Sequence, residues 1–181
     1  MDFQNPEEEA KKLGLGGDYM KLADGENKLR VLCLPETVAS HFLGAGQKPA
    51  TCTMNDDCPF CKKGVKKSVK VLMYVLDRED ETIKLGDFPW SIFTGLGDLA
   101  KNSEYAYKDL PPYDIMITKT GTGMETRYRV DACKNEDPLT EEQAEVFKNK
   151  KPIIQIVADR IEKAQSNMVN DFDNFLKEDT K

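Results

Sequence analysis

Alternating apolar and polar residues predict a single strand followed by a long hairpin. Residues 28–34 (KLRVLCL) alternate and end at Pro35, which indicates a strand with one buried face. Residues 69–76 (VKVLMYVL) have the strongest strand pattern in the chain. The charged run at 77–81 predicts a solvated turn, and residues 82–85 return as the partner strand.

The same pattern predicts a helix and then a second hairpin. Residues 91–100 carry apolar side chains at helical spacing, although the two glycines among them weaken this prediction. After a polar loop, residues 113–119 and 124–133 each alternate. The glycines of the Gly121–Thr122–Gly123 connection favour a tight turn between these two strands.

The pattern becomes helical from Asp137 onward. Thr140 and Gln143 form a capping-box pattern, which predicts a helix that runs through Lys148. Pro152 then begins a long helix through about Leu176, because apolar residues recur there on one stripe. We therefore expect two helices to follow the strand-rich part of the chain.

Composition limits the class of protein. A chain of 181 residues suits one domain, and 39% hydrophobic residues can build a core. The net charge of −6 argues against bulk attraction to nucleic acid, although a net value hides local patches. The start of the chain is acidic and no long apolar run follows, so we expect no signal peptide, no membrane span and a cytoplasmic location. Thiols stay reduced there, so clustered cysteines indicate metal binding or catalysis.

The candidate chemistry is concentrated in an H-x10-C-x5-C-x2-C array that contains the single histidine of the chain. The candidate ligands are His41, Cys52, Cys58 and Cys61. Four nitrogen and sulfur donors, two of them in a C-x2-C knuckle, match a structural Zn²⁺ site. An alternative makes Cys52 a buried apolar residue and His41 a surface residue, but it leaves the crowding of ligands in a polar loop unexplained. The remaining cysteines, Cys33 and Cys133, are expected to be dispensable for the metal, and Cys33 is favoured as a core thiol.

These elements predict a mainly β fold with helical additions. A strand, an insertion and two hairpins with a helix between them match an OB-fold barrel with a zinc-binding loop insertion and C-terminal helices. We predict an acidic N-terminal segment at 1–20 and an OB-fold core at 21–136 with the zinc insertion at 41–61. C-terminal helices and an acidic tail occupy 137–181.

Over residues 28–133, this order of elements and ligands resembles the helix-destabilising single-stranded DNA-binding proteins of T-even and related phages. The resemblance implies an OB-fold with a zinc insertion and a phage-encoded protein in the host cytoplasm. It also implies coating and protection of single-stranded DNA during replication, recombination or repair. The acidic end resembles a family tail that recruits replication or recombination proteins. The chain departs from the family in its tighter loop spacings and in an acidic N-terminus where the family has a basic arm.

Binding a single strand requires basic side chains for phosphates and aromatic faces for bases. A lysine run without acids follows the knuckle directly, and two arginines share one face of the last predicted strand. The candidates are Lys62, Lys63, Lys66, Lys67, Lys70, Tyr74, Trp90, Tyr105, Tyr107, Arg127, Tyr128 and Arg129. Tyr105 and Tyr107 are favoured because a loop places them outside the predicted core. For each aromatic residue in a strand, the alternative is a role in the core. For the lysine run, the alternative is an ordinary solvated surface without a binding role.

Other functions remain open. The Cys58–Pro59–Phe60–Cys61 motif resembles the redox site of glutaredoxins, but acids precede it and no βαβ frame surrounds it. A zinc deaminase requires H-x-E, and position 43 is Leu43. With its one histidine committed to metal, the chain has no histidine left as a general base, so we expect no enzyme. A zinc-stapled protein-interaction module is the main alternative, and oligonucleotide binding separates it from the first hypothesis.

Overall fold

The computed structural model describes residues 19–44, 49–134 and 137–178. The strands are β1 Gly25–Val31, β2 Glu36–His41, β3 Ala50–Thr51, β4 Lys67–Asp77, β5 Thr82–Pro89, β6 Ile115–Thr120 and β7 Arg127–Ala132. The helices are α1 Pro59–Lys62, α2 Trp90–Lys101, α3 Glu141–Lys148 and α4 Ile153–Glu178, with a 3-10 turn at Gly123–Glu125. Most of the predicted acidic segment at 1–20 lies outside the described residues.

All strands belong to one antiparallel sheet with the order β3-β2-β4-β1-β6-β7, and β5 pairs with the other edge of β4. β1 and β2 lie end to end along one edge of β4, and the Leu32 amide in the connection between them donates to the Tyr74 carbonyl. The sequence pattern missed β2 because Pro35 ends the alternation and few bulky apolar residues follow. The chain therefore continues past this proline as a second strand.

β4 buries side chains on both faces of the sheet, which explains its nearly continuous apolar sequence. The α2 cluster consists of Leu29, Val31, Val71, Met73, Val75, Phe88, Ile92, Leu96, Tyr113, Ile115 and Ile117. The α4 cluster consists of Val38, Leu72, Tyr74, Leu76, Ile83, Leu85 and Ile153. Successive residues of β4 alternate between these two clusters, as the two-residue period of a strand requires. The sheet is thus covered by α2 on one face and by the C-terminal helices on the other.

The C-terminal helices form as predicted. Thr140 caps α3 by accepting from the Gln143 amide, and the Gln143 side chain accepts from the Thr140 amide to complete the capping box. α4 buries a stripe that starts at Ile153, and Arg160 donates to Asp87 of β5 at 3.1 Å. This helix runs from the α4 cluster toward the candidate metal ligands.

The fold is a mainly antiparallel β-sheet with C-terminal helices, which confirms the coarse prediction. Closure into a barrel would require β5 to pair with β7, and this pairing is not among those of the described residues. The OB-fold barrel therefore stays a prediction. Among residues 19–44, 49–134 and 137–178, no helix has the length and apolarity needed to cross a bilayer.

Candidate metal centre and basic surface

The four predicted ligands converge on one point. His41 Nε2 lies 3.4 Å from Cys58 Sγ and 3.5 Å from Cys61 Sγ. Cys52 Sγ lies 3.9 Å from Cys58 Sγ and 3.6 Å from Cys61 Sγ. Zinc–ligand bonds of about 2.0–2.3 Å give tetrahedral edges of roughly 3.5 Å between nitrogen and sulfur and roughly 3.8 Å between sulfurs. The donor set therefore has the chemistry and spacing of a tetrahedral metal site, as the sequence predicted.

The sheet itself holds this site in place. His41 is the last residue of β2 and is fully buried, and it pairs with Ala50 of β3. The Cys52 amide donates to the Ala39 carbonyl at 2.8 Å, which fixes the second ligand beside β2. Cys58 directly precedes α1, and Cys61 is the third residue of this helix. The single turn of α1 therefore holds the two knuckle cysteines close together. The insertion predicted at 41–61 is thus anchored in the sheet at its first two ligands.

Neighbouring groups orient the ligands. His41 Nδ1 lies 3.0 Å from the Val65 carbonyl, so a proton on Nδ1 donates there and leaves Nε2 for a metal. The Met54 amide donates to Cys52 Sγ at 3.4 Å. Cys33 is not part of this group: it packs against the α2 and α4 clusters, and burial raises its pKa. This is the core role predicted for that thiol.

The three thiols of the site compete for negative charge. Burial acts to raise the pKa of Cys58, but hydrogen bonds from Cys61 and His41 outweigh it and lower that pKa to about 6. Desolvation and the sulfurs of Cys52 and Cys58 raise the pKa of Cys61 to about 11. A bound cation allows all three sulfurs to ionise together, and thiolates are the forms that bind metal.

An aromatic contact that the sequence analysis missed covers the knuckle. Phe60 lies between the two knuckle cysteines and is only 1% exposed. Its ring stacks on His41 with centroids 5.4 Å apart, and it meets Phe172 and Phe175 edge-on at 5.2 and 5.8 Å. The predicted acidic tail thus begins with helical residues that pack on the site. The sequence did contain a signal for this contact, because the apolar stripe of α4 continues to these two phenylalanines.

The predicted lysine run is exposed beside the metal centre. Lys62 pairs with Asp57 at 3.1 Å, and Lys70 pairs with Asp87 at 3.3 Å. The other three lysines are Lys63, whose ammonium lies 5.0 Å from the Phe175 ring centroid, and Lys66 and Lys67. Within the described part of the chain, Lys66 and Lys67 make no ion pair. The run therefore presents a local positive surface on a chain of negative net charge.

The exposed Trp90 lies on α2, near the end of β4 that carries Lys70. The antiparallel register pairs Lys70 with Pro89, and Trp90 is the following residue, at the start of α2. Its ring is 46% exposed and lies 4.8 Å from the Phe93 ring, centroid to centroid. The fold therefore brings an accessible indole to within one residue of the ladder partner of Lys70, although the two residues are 20 positions apart in the sequence.

Of three other predicted aromatics, one belongs to the core and two pack against it. Tyr74 is 7% exposed and its hydroxyl donates to the Lys151 carbonyl at 3.0 Å, so its predicted stacking role is corrected. Tyr105 and Tyr107 were favoured as loop residues, but both are half-buried and meet the buried Tyr113 edge-on. Tyr107 donates to the Leu96 carbonyl at 2.7 Å, and burial raises its pKa to about 12. These rings are held by packing and hydrogen bonds.

The last three candidates lie on β7, at the far end of the sheet order from β3. Arg127 and Arg129 are exposed on one face, and Arg129 pairs with Asp131 at 2.7 Å. Tyr128 points to the opposite face, is half-buried and packs against the α2 cluster. β6 lies between this strand and the row that β1 and β2 share, and the metal ligand His41 is at the end of β2 away from β1.

Comparisons with known protein families, with curated proteins and with solved structures found no match to this chain. Fold and site together define an antiparallel β-sheet protein with a candidate metal centre of one histidine and three cysteines, beside a basic surface.

Proposed function

We propose that the protein binds single-stranded DNA and carries one structural zinc ion. In this proposal it is not an enzyme, and it coats and protects exposed strands during replication, recombination or repair. The observation that carries the proposal is the exposed run of Lys62, Lys63, Lys66, Lys67 and Lys70 beside the metal centre, with the exposed Trp90 one residue beyond the ladder partner of Lys70. Phosphate-binding cations and an accessible ring are the two elements that single-strand binding requires.

The mechanism divides between charge and stacking. Lysines that contact phosphates release counterions, so affinity falls with salt. A base stacked on Trp90 adds a contribution that depends little on salt and tolerates any base sequence. Four protein donors leave no open coordination position, so bound zinc would stiffen the segment that carries the lysines.

An OB-fold barrel is the architecture that best fits this proposal. The sheet order β7-β6-β1-β4-β5, with α2 between β5 and β6, has the connectivity of such a barrel lacking only the β5–β7 pairing. Contacts with replication or recombination proteins through the acidic end are also part of the proposal. Asp171 and Asp173 support them, since both are exposed on α4.

A zinc-stapled protein-interaction module is the second candidate. A cleft of about 520 Å³ lies between the β1–β2 connection and the start of α4, and the exposed side chains of Leu34 and Ile154 line it. Apolar residues at such a cleft favour a protein partner. A glutaredoxin-like activity is disfavoured because Cys58, which would have to attack a disulfide, is 1% exposed.

The decisive experiment is a titration with single-stranded and duplex oligonucleotides. Trp90 is the single tryptophan, so its fluorescence reports directly on the proposed contact. We expect a single strand to quench it and duplex DNA to bind far more weakly. With labelled oligonucleotides, Trp90→Ala should weaken the binding free energy by about 1–3 kcal/mol. The slope of log affinity against log salt concentration should stay unchanged. Lys66→Ala plus Lys67→Ala should flatten that slope by roughly 0.7 for each phosphate that the variant no longer neutralises.

Tyr74→Phe is the matched control, because it alters an aromatic that lies in the core. It should leave oligonucleotide affinity unchanged. Equal affinity for duplex and single strands would reduce the lysines to a nonspecific polyanion site. No binding to any oligonucleotide at low salt would favour the protein-interaction module.

A further inference from the structure

The last turns of α4 and the metal knuckle form one packed unit. α1 has only four residues, too few to be stable as an isolated helix. Its shape therefore depends on the ligands at Cys58 and Cys61 and on what covers Phe60. The cover consists of His41 on one side and the rings of Phe172 and Phe175 on the other.

The fully buried part of this unit contains little apolar material. The knuckle cluster consists of Ala39, Ala50, Cys52, Cys58 and Phe60. Phe60 is its one large apolar member, and two of the other four are candidate metal ligands. Phe172 and Phe175 pack against it from α4, and Lys63 adds a cation–π contact to Phe175 at 5.0 Å. Leu43, Val65 and Val69 also pack against the cluster, but Cys52, Cys58 and the four-residue α1 would be held in place by the ligand–metal bonds, so the surface on which the two rings pack depends on the metal.

The first half of α4 is held differently. Ile153 is buried in the α4 cluster, where Ile156 and Val157 pack beside it. Arg160 adds its hydrogen bond to Asp87 of β5. None of these contacts involves the knuckle, so loss of the metal should loosen only the end of the helix.

We propose that metal occupancy and docking of the end of α4 are coupled. The two phenylalanines help to retain the metal, and the metal in turn keeps the last turns of α4 on the knuckle. Coupling between two binding equilibria is reciprocal, so the same factor applies in both directions. Removing groups that support metal ligands typically costs about 10–100-fold in metal affinity, and we expect about tenfold here.

The first test removes the metal. The full chain is purified with zinc, and amide hydrogen exchange is measured with and without EDTA. Chelation should remove protection from residues 165–176 and from the knuckle, while residues 153–161 and β4 stay protected. Residues 165–176 that keep their protection after zinc removal would overturn the proposal.

The second test runs in the opposite direction. Phe172→Ala plus Phe175→Ala should release zinc to a chromophoric chelator about tenfold faster than the unaltered chain. Val169→Ala is the control, since Val169 lies on the same helix but is 68% exposed. Phe175→Leu, which keeps an apolar side chain, should give an intermediate rate and serves if the double variant does not fold. Release from the phenylalanine variants at the rate of Val169→Ala would refute the coupling.

The coupling rests on the metal centre proposed above, and a different experimental result would refute each of them. Purified protein without bound metal refutes the centre itself. Metal that is bound but released at the same rate from all variants refutes only the coupling. Neither readout involves nucleic acid.

Discussion

Asp114, the residue before β6, is a fully buried carboxylate that binds two arginines. Arg30 Nε donates to it at 2.7 Å and Arg78 Nε at 3.0 Å, and Lys28 lies 3.6 Å away. Burial acts to raise the pKa of Asp114, but the hydrogen bonds from Arg78 and Arg30 outweigh it and lower that pKa. The cluster joins β1, the end of β4 and the residue before β6 through one charged group.

Asp114→Asn should therefore destabilise the fold by about 3 kcal/mol, since it removes the buried negative charge that two desolvated guanidinium groups share. The lowered pKa also makes stability depend on pH. The contribution of Asp114 is complete above the ordinary carboxyl pKa of about 4 and is lost as pH falls through the lower folded value. Urea unfolding between pH 2 and pH 7 measures both effects.

The control is Asp98→Asn, because Asp98 is exposed on α2. It should change the free energy of unfolding by no more than about 0.5 kcal/mol. If Asp114→Asn loses stability in acid as steeply as the unaltered chain, the pH dependence arises from other carboxylates.

The four metal ligands were predictable from the sequence because ligand spacing is a local property. The roles of the aromatics were not. Tyr74 lies in a strand that is buried on both faces, and neither alternation nor composition distinguishes a core ring from an accessible one there. Trp90 became a strong candidate only when the register of β4 and β5 placed it beside Lys70.

At the scale of elements, α2 shows why a helix can contain two glycines. A Cβ on Gly95 would lie 2.7 Å from Val130 Cγ2 of β7, so this glycine allows close packing of helix and sheet. A Cβ on Gly97 would meet nothing within 4 Å. The glycines that weakened the helix prediction thus have different roles, which the sequence alone cannot separate.

The two positions should respond oppositely to alanine. Gly97→Ala should raise the free energy of unfolding by about 0.5–1 kcal/mol, because alanine favours the helix and finds space. Gly95→Ala should lower it by about 1–3 kcal/mol through overpacking against Val130. Denaturant unfolding of both variants measures this difference, and each serves as the control for the other. A stabilising Gly95→Ala would contradict the close packing of α2 on β7.

At the scale of the whole molecule, the C-terminal helices are the second cover of the sheet. Truncation after Lys151 removes α4 and uncovers the α4 cluster, including Leu72 and Leu85. We expect this chain to lose cooperative unfolding and to aggregate, as measured by circular dichroism and size-exclusion chromatography. Truncation after Asn170 is the control and should keep a folded sheet, because Ile153 and Arg160 remain. A monomeric, cooperatively unfolding chain after the longer truncation would show that the sheet does not need α4.

The sequence predicted both hairpins, α2 and both C-terminal helices because each is encoded by local periodicity. It missed the continuation of β1 into β2, and it treated the acidic end as a tail. Both depend on contacts between distant segments. β2 pairs with β4 some 30 residues further along, as Val38 with Lys70. Phe172 meets Phe60 across more than 100 residues.

The position of β7 bears on how copies of the protein behave at high concentration. β6 is its only ladder partner among the described residues, so its other edge offers backbone groups to another strand. Arg127, Arg129 and Asp131 alternate along this short strand. Charged side chains on an edge strand discourage intermolecular pairing. We therefore expect these three side chains to limit association of copies of the chain through this edge, whatever else they bind.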